Sequence, residues 1–337
     1  MILIVCLNPA LDITHHVPVV NWSGVNRPRA VDTRPGGKGL NVARTLLALG
    51  AEVRVLGLAG GATGQAVRSG LAELGVPSDF TPIAGETRRT FAVLDQKRHT
   101  TALFNEPGPT VRATELTDLR YLYERSVAGA QATVLSGSLP PGLPTDTYAT
   151  LTRLARAAGV PVVLDAHGDA LRLGVAAGPA VVKPNLDELE HLAGQPLSLA
   201  GDGASLAGDG VSLAAGRNGR PAVAEAAREL RAGGAEAVVV SLGPAGLRAV
   251  TADGGWRAVP PAVEAVNPTG AGDAVVAALT LGLVTGQPWP DRLRDAAALG
   301  TATALAPVAG EFDPADYTRF RSAVMVAELS RPNGGDG

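Results

Sequence analysis

The chain has 337 residues, 46% hydrophobic and 18% charged, with 42 glycines and 25 prolines; this apolar content excludes wholesale disorder, and the length calls for two domains or one large α/β domain with an accessory piece. A net charge of −3 with no basic arm or stripe argues against nucleic acid as the principal partner. Cys6 is the lone cysteine, which excludes a disulfide framework and a Cys-based zinc site, and no apolar run reaches membrane-spanning length, so a soluble cytoplasmic protein with no membrane partner is expected.

In chain order, short apolar runs alternate with helical patterns. Ile2–Leu7 reads as a first buried strand that stops at Asn8-Pro9. Val42–Leu49 reads as a helix after a Gly-rich turn, Val53–Leu58 as a strand, and Ala66–Leu74 as a helix closed by Gly75. Strands are predicted at Ala132–Leu135, Val162–Leu164, Val181–Lys183 and Ala237–Ser241, and helices at Thr145–Ala158, Leu186–Ala193, Ala222–Ala232 and Ala271–Gly282. Such alternation with nearly continuous apolar strands implies a parallel sheet covered on both faces. Ligands of such sheets bind beyond the carboxyl ends of the strands. Asn8, Asp12, Gly137, Asp165, Asn185 and Gly243 all fall at or just past predicted strand ends.

Two stretches break this pattern. Ile13–Val20 and Arg29–Thr33 have β-type alternation with no helix between them, and Arg89–Asp95 with Thr100–Asn105 reads as a hairpin around Gln96–His99. They predict a small separate sheet, built from 13–33 and 89–105, that acts as a lid or as an oligomer contact through its edges. The large domain then takes 1–12, 34–88 and 106–330. A seven-residue unit beginning Ser-Leu-Ala-Gly-Asp-Gly recurs from Ser198, which predicts a flexible surface insertion over 198–219, and 331–337 reads as a disordered tail.

Three motifs carry chemistry. Asn267-Pro-Thr-Gly-Ala-Gly-Asp273 leads into an apolar helix. Its glycines let Gly270, Ala271 and Gly272 bring backbone N–H groups to one point, where the helix dipole also favours an anion. Asp273 beside that hole is placed to take a proton from an attacking hydroxyl, although an ordinary N-terminal helix residue fits the same local pattern. Gly36-Gly-Lys-Gly-Leu-Asn41 also precedes a helix but lacks the Walker A spacing. Within it, Lys38 either meets a phosphate or sits in water, and Asn41 either bonds a hydroxyl or caps the helix. Lys183-Pro-Asn185-Leu-Asp-Glu188 sets two oxygen-bearing side chains three apart. These suit a hydrated Mg²⁺ beside a nucleotide phosphate, but on spacing alone a helix-capping box is the better reading.

Together, in this order, the three motifs resemble the PfkB/ribokinase-type carbohydrate kinases. Leu7-Asn-Pro-Ala-Leu-Asp12, Gly37-Lys-Gly-Leu-Asn41, Ser136-Gly-Ser-Leu-Pro-Pro-Gly142 and Lys183-Pro-Asn185 are similar to the 1-phosphofructokinase and tagatose-6-phosphate kinase branch. The resemblance spans Leu7 to about Pro314. It implies a ribokinase-like three-layer α/β sandwich with a mostly parallel sheet and a β lid. It implies Asp273 as base and Gly270–Gly272 as anion hole. Sugar contacts are implied at Asp12, Gly37 and Asn41, with Glu106 near the lid, and sugar-phosphate contacts at Arg88, Lys38, Ser138 and Arg27, the last from a neighbouring subunit. ATP is implied at Lys183, Asn185, Ser241, Gly243, Gly246 and Thr269, with Mg²⁺ near Asn185, Glu188 and Asp165. The expected activity is ATP-dependent phosphorylation of a phosphorylated ketohexose by a homodimer paired through its lids. Arg, planar and always charged, suits the sugar's own phosphate, which an unphosphorylated sugar or nucleoside acceptor would not require. A silent sugar-binding regulator on the same fold is the alternative of another class.

Overall fold

Alternation along β1 (Ile2–Cys6) sets the layering. In the computed structural model, which describes residues 1–98, 100–199, 221–308 and 310–329, Ile2, Ile4 and Cys6 enter one apolar cluster while Leu3 and Val5 enter another on the opposite face. Every β1 side chain is buried, as a central strand covered on both sides requires.

The chain then runs through β2 (Ala10–Val17), β3 (Ala30–Gly36), α1 (Lys38–Ala48), β4 (Val53–Ala59), α2 (Gly61–Glu73), β5 (Ser78–Pro82), β6 (Arg88–Asp95) and β7 (Thr100–Asn105). There follow α3 (Ala113–Val127), β8 (Ala132–Ser136), α4 (Thr147–Ala157), β9 (Val162–Asp165), α5 (Gly168–Val175), β10 (Val181–Val182) and α6 (Leu186–Ala193). After 200–220 come α7 (Val223–Ala232), β11 (Val238–Ser241), β12 (Leu247–Val250), β13 (Gly255–Val259), α8 (Ala271–Val284), α9 (Trp289–Leu305), α10 (Pro314–Ala323) and β14 (Met325–Glu328).

A ten-stranded sheet has the order β14-β13-β12-β11-β10-β9-β8-β1-β4-β5. It is parallel from β5 to β11 and antiparallel from β11 to β14. Helices α1, α2, α8, α9 and α10 cover the Ile4 face, and α3 to α7 cover the Leu3 face. This is the expected three-layer α/β arrangement. The chain leaves β1 towards β4 on one side and later returns through β8 on the other, so a crevice opens at their carboxyl ends.

A second sheet, β3-β2-β6-β7, stands above that crevice. Its two hairpins are joined by parallel pairing of β2 with β6, Ala10 opposite Arg88 and Asp12 opposite Thr90. The small sheet is wider than its expected segments. It takes in Asp12 and Arg34, which therefore lie within β2 and β3 and not at an end of the large sheet, and Arg88 opens β6. Helix α1 likewise begins at Lys38 and not at Val42, so Lys38 and Asn41 share its first turns.

No element is predicted from sequence for 113–127, 247–259 or 289–323, where α3, the β12–β13 hairpin, α9 and α10 form. The repeated unit lies outside the described residues beyond Leu199, as does the tail. Its stem is described. Ser198 N donates to Pro221 O at 2.9 Å and Val223 N to Ser198 O at 3.1 Å, so the segment leaves and returns at one point between α6 and α7.

Candidate active site

A cleft of about 1380 Å³ lies between the small sheet and the carboxyl ends of β1 and β8 to β11. Alternate residues of the small sheet face it, among them Asp12, Thr14 and His16 of β2 and Thr90 of β6. Its floor is made by the two Gly-rich turns.

At the first turn, Gly270 has φ +88°, a backbone state that favours glycine, and the chain enters α8 directly after it. Asn267 fixes the approach, since its Oδ1 accepts from Thr269 N at 3.0 Å and its Nδ2 donates to Pro307 O at 3.2 Å. Ala271 N donates to Pro268 O at 3.2 Å. The amide of Ala271 is thus spent inside the turn, which shifts the candidate anion donors towards Gly272 and Asp273. A Cβ on Gly272 would stand 3.8 Å from Lys183 Nζ, so a cation backs the same turn.

The charges beside this turn form one group. Asp165, at the end of β9, is 1% exposed. Lys183 Nζ lies 3.3 Å from its Oδ1 and Lys38 Nζ 3.3 Å from its Oδ2. Burial alone would raise the Asp165 pKa, but Lys183 and Lys38 hold it below the usual carboxylate range. Lys38 Nζ is also 3.8 Å from Glu188 Oε1. Burial works against the Lys38 ammonium, yet Asp165, Glu188 and Asp273 outweigh it and raise its pKa. Lys38 therefore sits among the carboxylates beside the α8 turn.

Asp273, 6% exposed, is pushed up to about 6, first by burial and then by Asp165, against the pull of Lys38, Asn41 and Lys183. A carboxylate poised there is suited to take a proton near neutral pH. Asn41 Nδ2 donates to Asp273 Oδ2 at 2.7 Å, so the expected sugar contact points at the candidate base.

Across the cleft, burial raises the pKa of Asp12 against the pull of Arg34 and Arg44. Its carboxylate fills the space where a Gly36 side chain would stand, only 2.0 Å from the ideal Cβ. Arg88 Nε donates to Asn8 O and its Nη1 to Glu106 O, both at 3.1 Å. Ser138 Oγ accepts from Asn8 Nδ2 at 3.0 Å. The Glu106 carboxylate pairs with Arg89 at 3.2 Å and accepts from the Arg89 amide. Asn8 thus joins the Arg88 and Ser138 loops, a link that its place beside Pro9 did not signal.

Towards β11 and β12 the cleft turns apolar, lined by Leu247, Val259, Pro260, Val263, Ala304 and Val308. Ser241, Gly243 and Gly246 line its edge, and Ser241 bridges to Asn185. Gly246 has φ +84°, and a Cβ there would lie 2.0 Å from Ala258 O. These apolar positions lie in stretches that carry no motif, so sequence reasoning missed them.

Asn185 and Glu188 form a complete capping box at α6. Asn185 Oδ1 accepts from Glu188 N at 2.7 Å, and Glu188 Oε2 accepts from Asn185 N at 2.9 Å. Among the described residues no three His, Cys, Asp or Glu side chains group to hold a metal ion. Glu188 Oε1, the oxygen left by the cap, is the group that could hold a hydrated Mg²⁺ whose other ligands come from a bound molecule and water, although Lys38 Nζ lies 3.8 Å from it. Asp165 fits this role poorly, because a cation there would displace two ammonium groups.

The family described as pfkB family carbohydrate kinase matches residues 4–315. Phosphofructokinase-2 from Escherichia coli, in complex with potassium, is similar over 96% of this chain and 98% of that one, at 30% identity and a TM-score of 0.83. The same enzyme in complex with fructose-6-phosphate matches with equal identity and coverage at a TM-score of 0.80. A protein described as a possible 1-phosphofructokinase from Thermotoga maritima shares the fold at 24% identity, a TM-score of 0.79, and 98% and 99% coverage.

Proposed function

Because the chain belongs to the pfkB family of carbohydrate kinases, we propose that it transfers the γ-phosphoryl group of ATP to a hydroxyl of a phosphorylated ketohexose. The observation that carries this reading is Asp273, buried at the head of α8 with its pKa raised to about 6, beside two lysines and below the cleft. The solved Escherichia coli relative with fructose-6-phosphate supports a phosphosugar acceptor.

The acceptor hydroxyl gives its proton to Asp273, its oxygen bonds to the γ-phosphorus, and the bond from that phosphorus to the bridging oxygen breaks, leaving ADP. The Gly272 and Asp273 amides and the positive end of α8 hold the equatorial oxygens as charge spreads over them. Lys38 and Lys183 flank the same place. Mg²⁺ near Glu188, when bound, neutralises charge on the β- and γ-phosphates. The apolar wall from Val259 to Val263 takes the base of the nucleotide, and the Gly243–Gly246 turn its sugar and phosphates. Arg88 and Ser138 receive the acceptor's own phosphate. The small sheet covers the acceptor and keeps out water that would compete for the phosphoryl group.

A kinase assay with ATP and Mg²⁺ across fructose 1-phosphate, fructose 6-phosphate, tagatose 6-phosphate, the free sugars and nucleosides tests this. One phosphorylated ketohexose is expected to lead in kcat/KM. A free sugar or nucleoside turned over equally well would overturn the phosphosugar assignment, and no turnover on any acceptor would favour a regulator.

A further inference from the structure

Both ends of the Asn41 amide are engaged inside the protein. Its Nδ2 donates to Asp273 Oδ2 at 2.7 Å, and its Oδ1 accepts from Arg44 Nη2 at 2.5 Å. An amide can turn over, and the turned form would set a carbonyl oxygen against the Asp273 carboxylate. Arg44 forbids that form, since a guanidinium only donates and can pair only with the oxygen.

Arg44 is itself placed by two elements. It lies three residues after Asn41 on α1, so the two share a face. Its Nη1 donates to Pro35 O of β3 at 2.6 Å. Gly310, at φ +73°, packs over the pair, and a Cβ there would stand 3.2 Å from Asn41 Cβ and 3.3 Å from Arg44 Nη2. Arg34, Asp12, Glu311 and Asp273 itself are the charged neighbours of Arg44, as Lys38, Lys183 and Asp165 are of Asp273.

We propose that Arg44 is a positioning residue of the transfer step. It locks Asn41 so that the amide donates to Asp273 Oδ2, which leaves Oδ1 to accept the proton of the acceptor hydroxyl. This rests on the reading of Asp273 as base. It gives Asn41, expected from sequence as a sugar contact, a part in supporting that base as well, since its amide keeps a second N–H for a ligand.

The test is a double-mutant cycle on the full chain, reading kcat and KM for ATP and the preferred acceptor, with thermal melting of each variant. Arg44→Met and Asn41→Ala are each expected to lower kcat about 10-fold or more while KM moves little, and the double variant to be no slower than Asn41→Ala alone. Arg44→Lys, which keeps one donor for Asn41 Oδ1, is expected to recover part of the loss. Losses that multiply in the double variant, a wild-type kcat in Arg44→Met, or a change confined to KM would overturn the proposal. Should Arg44→Met fail to fold, the cycle is run with Arg44→Lys, where the same non-additivity supports the proposal and multiplied losses overturn it. Asp273→Asn is measured alongside. Full activity there sinks the base assignment itself, whereas an inactive Asp273→Asn with an additive cycle sinks only the role of Arg44.

Discussion

Lys183 Nζ lies 3.3 Å from Asp165 Oδ1, and both side chains are almost wholly buried. Removing one partner leaves an uncompensated buried charge. Lys183→Met is therefore expected to cost about 3 kcal/mol of stability, softened by Lys38 on the other oxygen, and thermal or urea unfolding measures it. A melting temperature equal to that of the parent would show that the pair contributes nothing.

The raised Asp273 pKa predicts how activity depends on pH. kcat/KM should fall as pH drops through about 6, as the carboxylate takes up a proton and ceases to act as base. Asp273→Asn should lower kcat by about 10²–10⁴-fold. A profile flat from pH 5 to 8 would contradict this assignment.

Stability should respond to the same residue in the opposite sense. The folded chain holds the Asp273 proton more tightly than the unfolded chain does, so stability declines as pH rises from about 4 to about 6. The ionised carboxylate costs the fold about 2–3 kcal/mol above that window. Asp273→Asn removes the charge, so at pH 8 this inactive variant should unfold at a higher urea concentration than the parent.

Arg88→Ala should raise KM for the phosphorylated acceptor by about 10-fold or more, as loss of a charge-assisted contact implies, with a smaller effect on turnover of free sugars. Steady-state kinetics on both acceptor types separates these outcomes. Equal effects on both would assign Arg88 to holding Asn8 and Glu106 and not to the phosphate.

Gly246 is required by its backbone, since φ +84° and the nearby Ala258 carbonyl leave no room for a methyl group. Gly246→Ala should cost more than about 1 kcal/mol and raise KM for ATP more than for the sugar. Thermal melting and the two KM values check it.

The small sheet and its β2–β3 loop expose Trp22 (71%) and Val25 (76%). If two copies pair through this region, Trp22→Asp should shift the molecular weight in sedimentation towards that of one chain.

Local signals made much of this legible from sequence. The bounds of α6 follow from Asn185 as cap and Gly194 in the left-handed region, and those of β7 from its place as the second arm of a hairpin. Helix α9 is rich in small residues and buried almost all round, which erases the helical period that marks an amphipathic helix. At the site, most residues singled out from the sequence come to line one cleft, but the sequence does not name their partners. Lys38 beside glycines reads as a phosphate ligand, and only the fold brings Asp165 and Glu188 to it. Asn41 and Asp273 meet across most of the chain, a distance no motif spacing encodes.

The Ser198–Ala222 bridge has a consequence for how this chain can change its length. With both ends pinned together, a change in the number of residues between them leaves the ends where they are, and the entropy of closing a segment grows slowly with its length. A short tandem unit can expand or contract there without shifting α6 or α7. The stem is thus the natural place to graft a tag or a reporter while leaving the kinase cleft undisturbed.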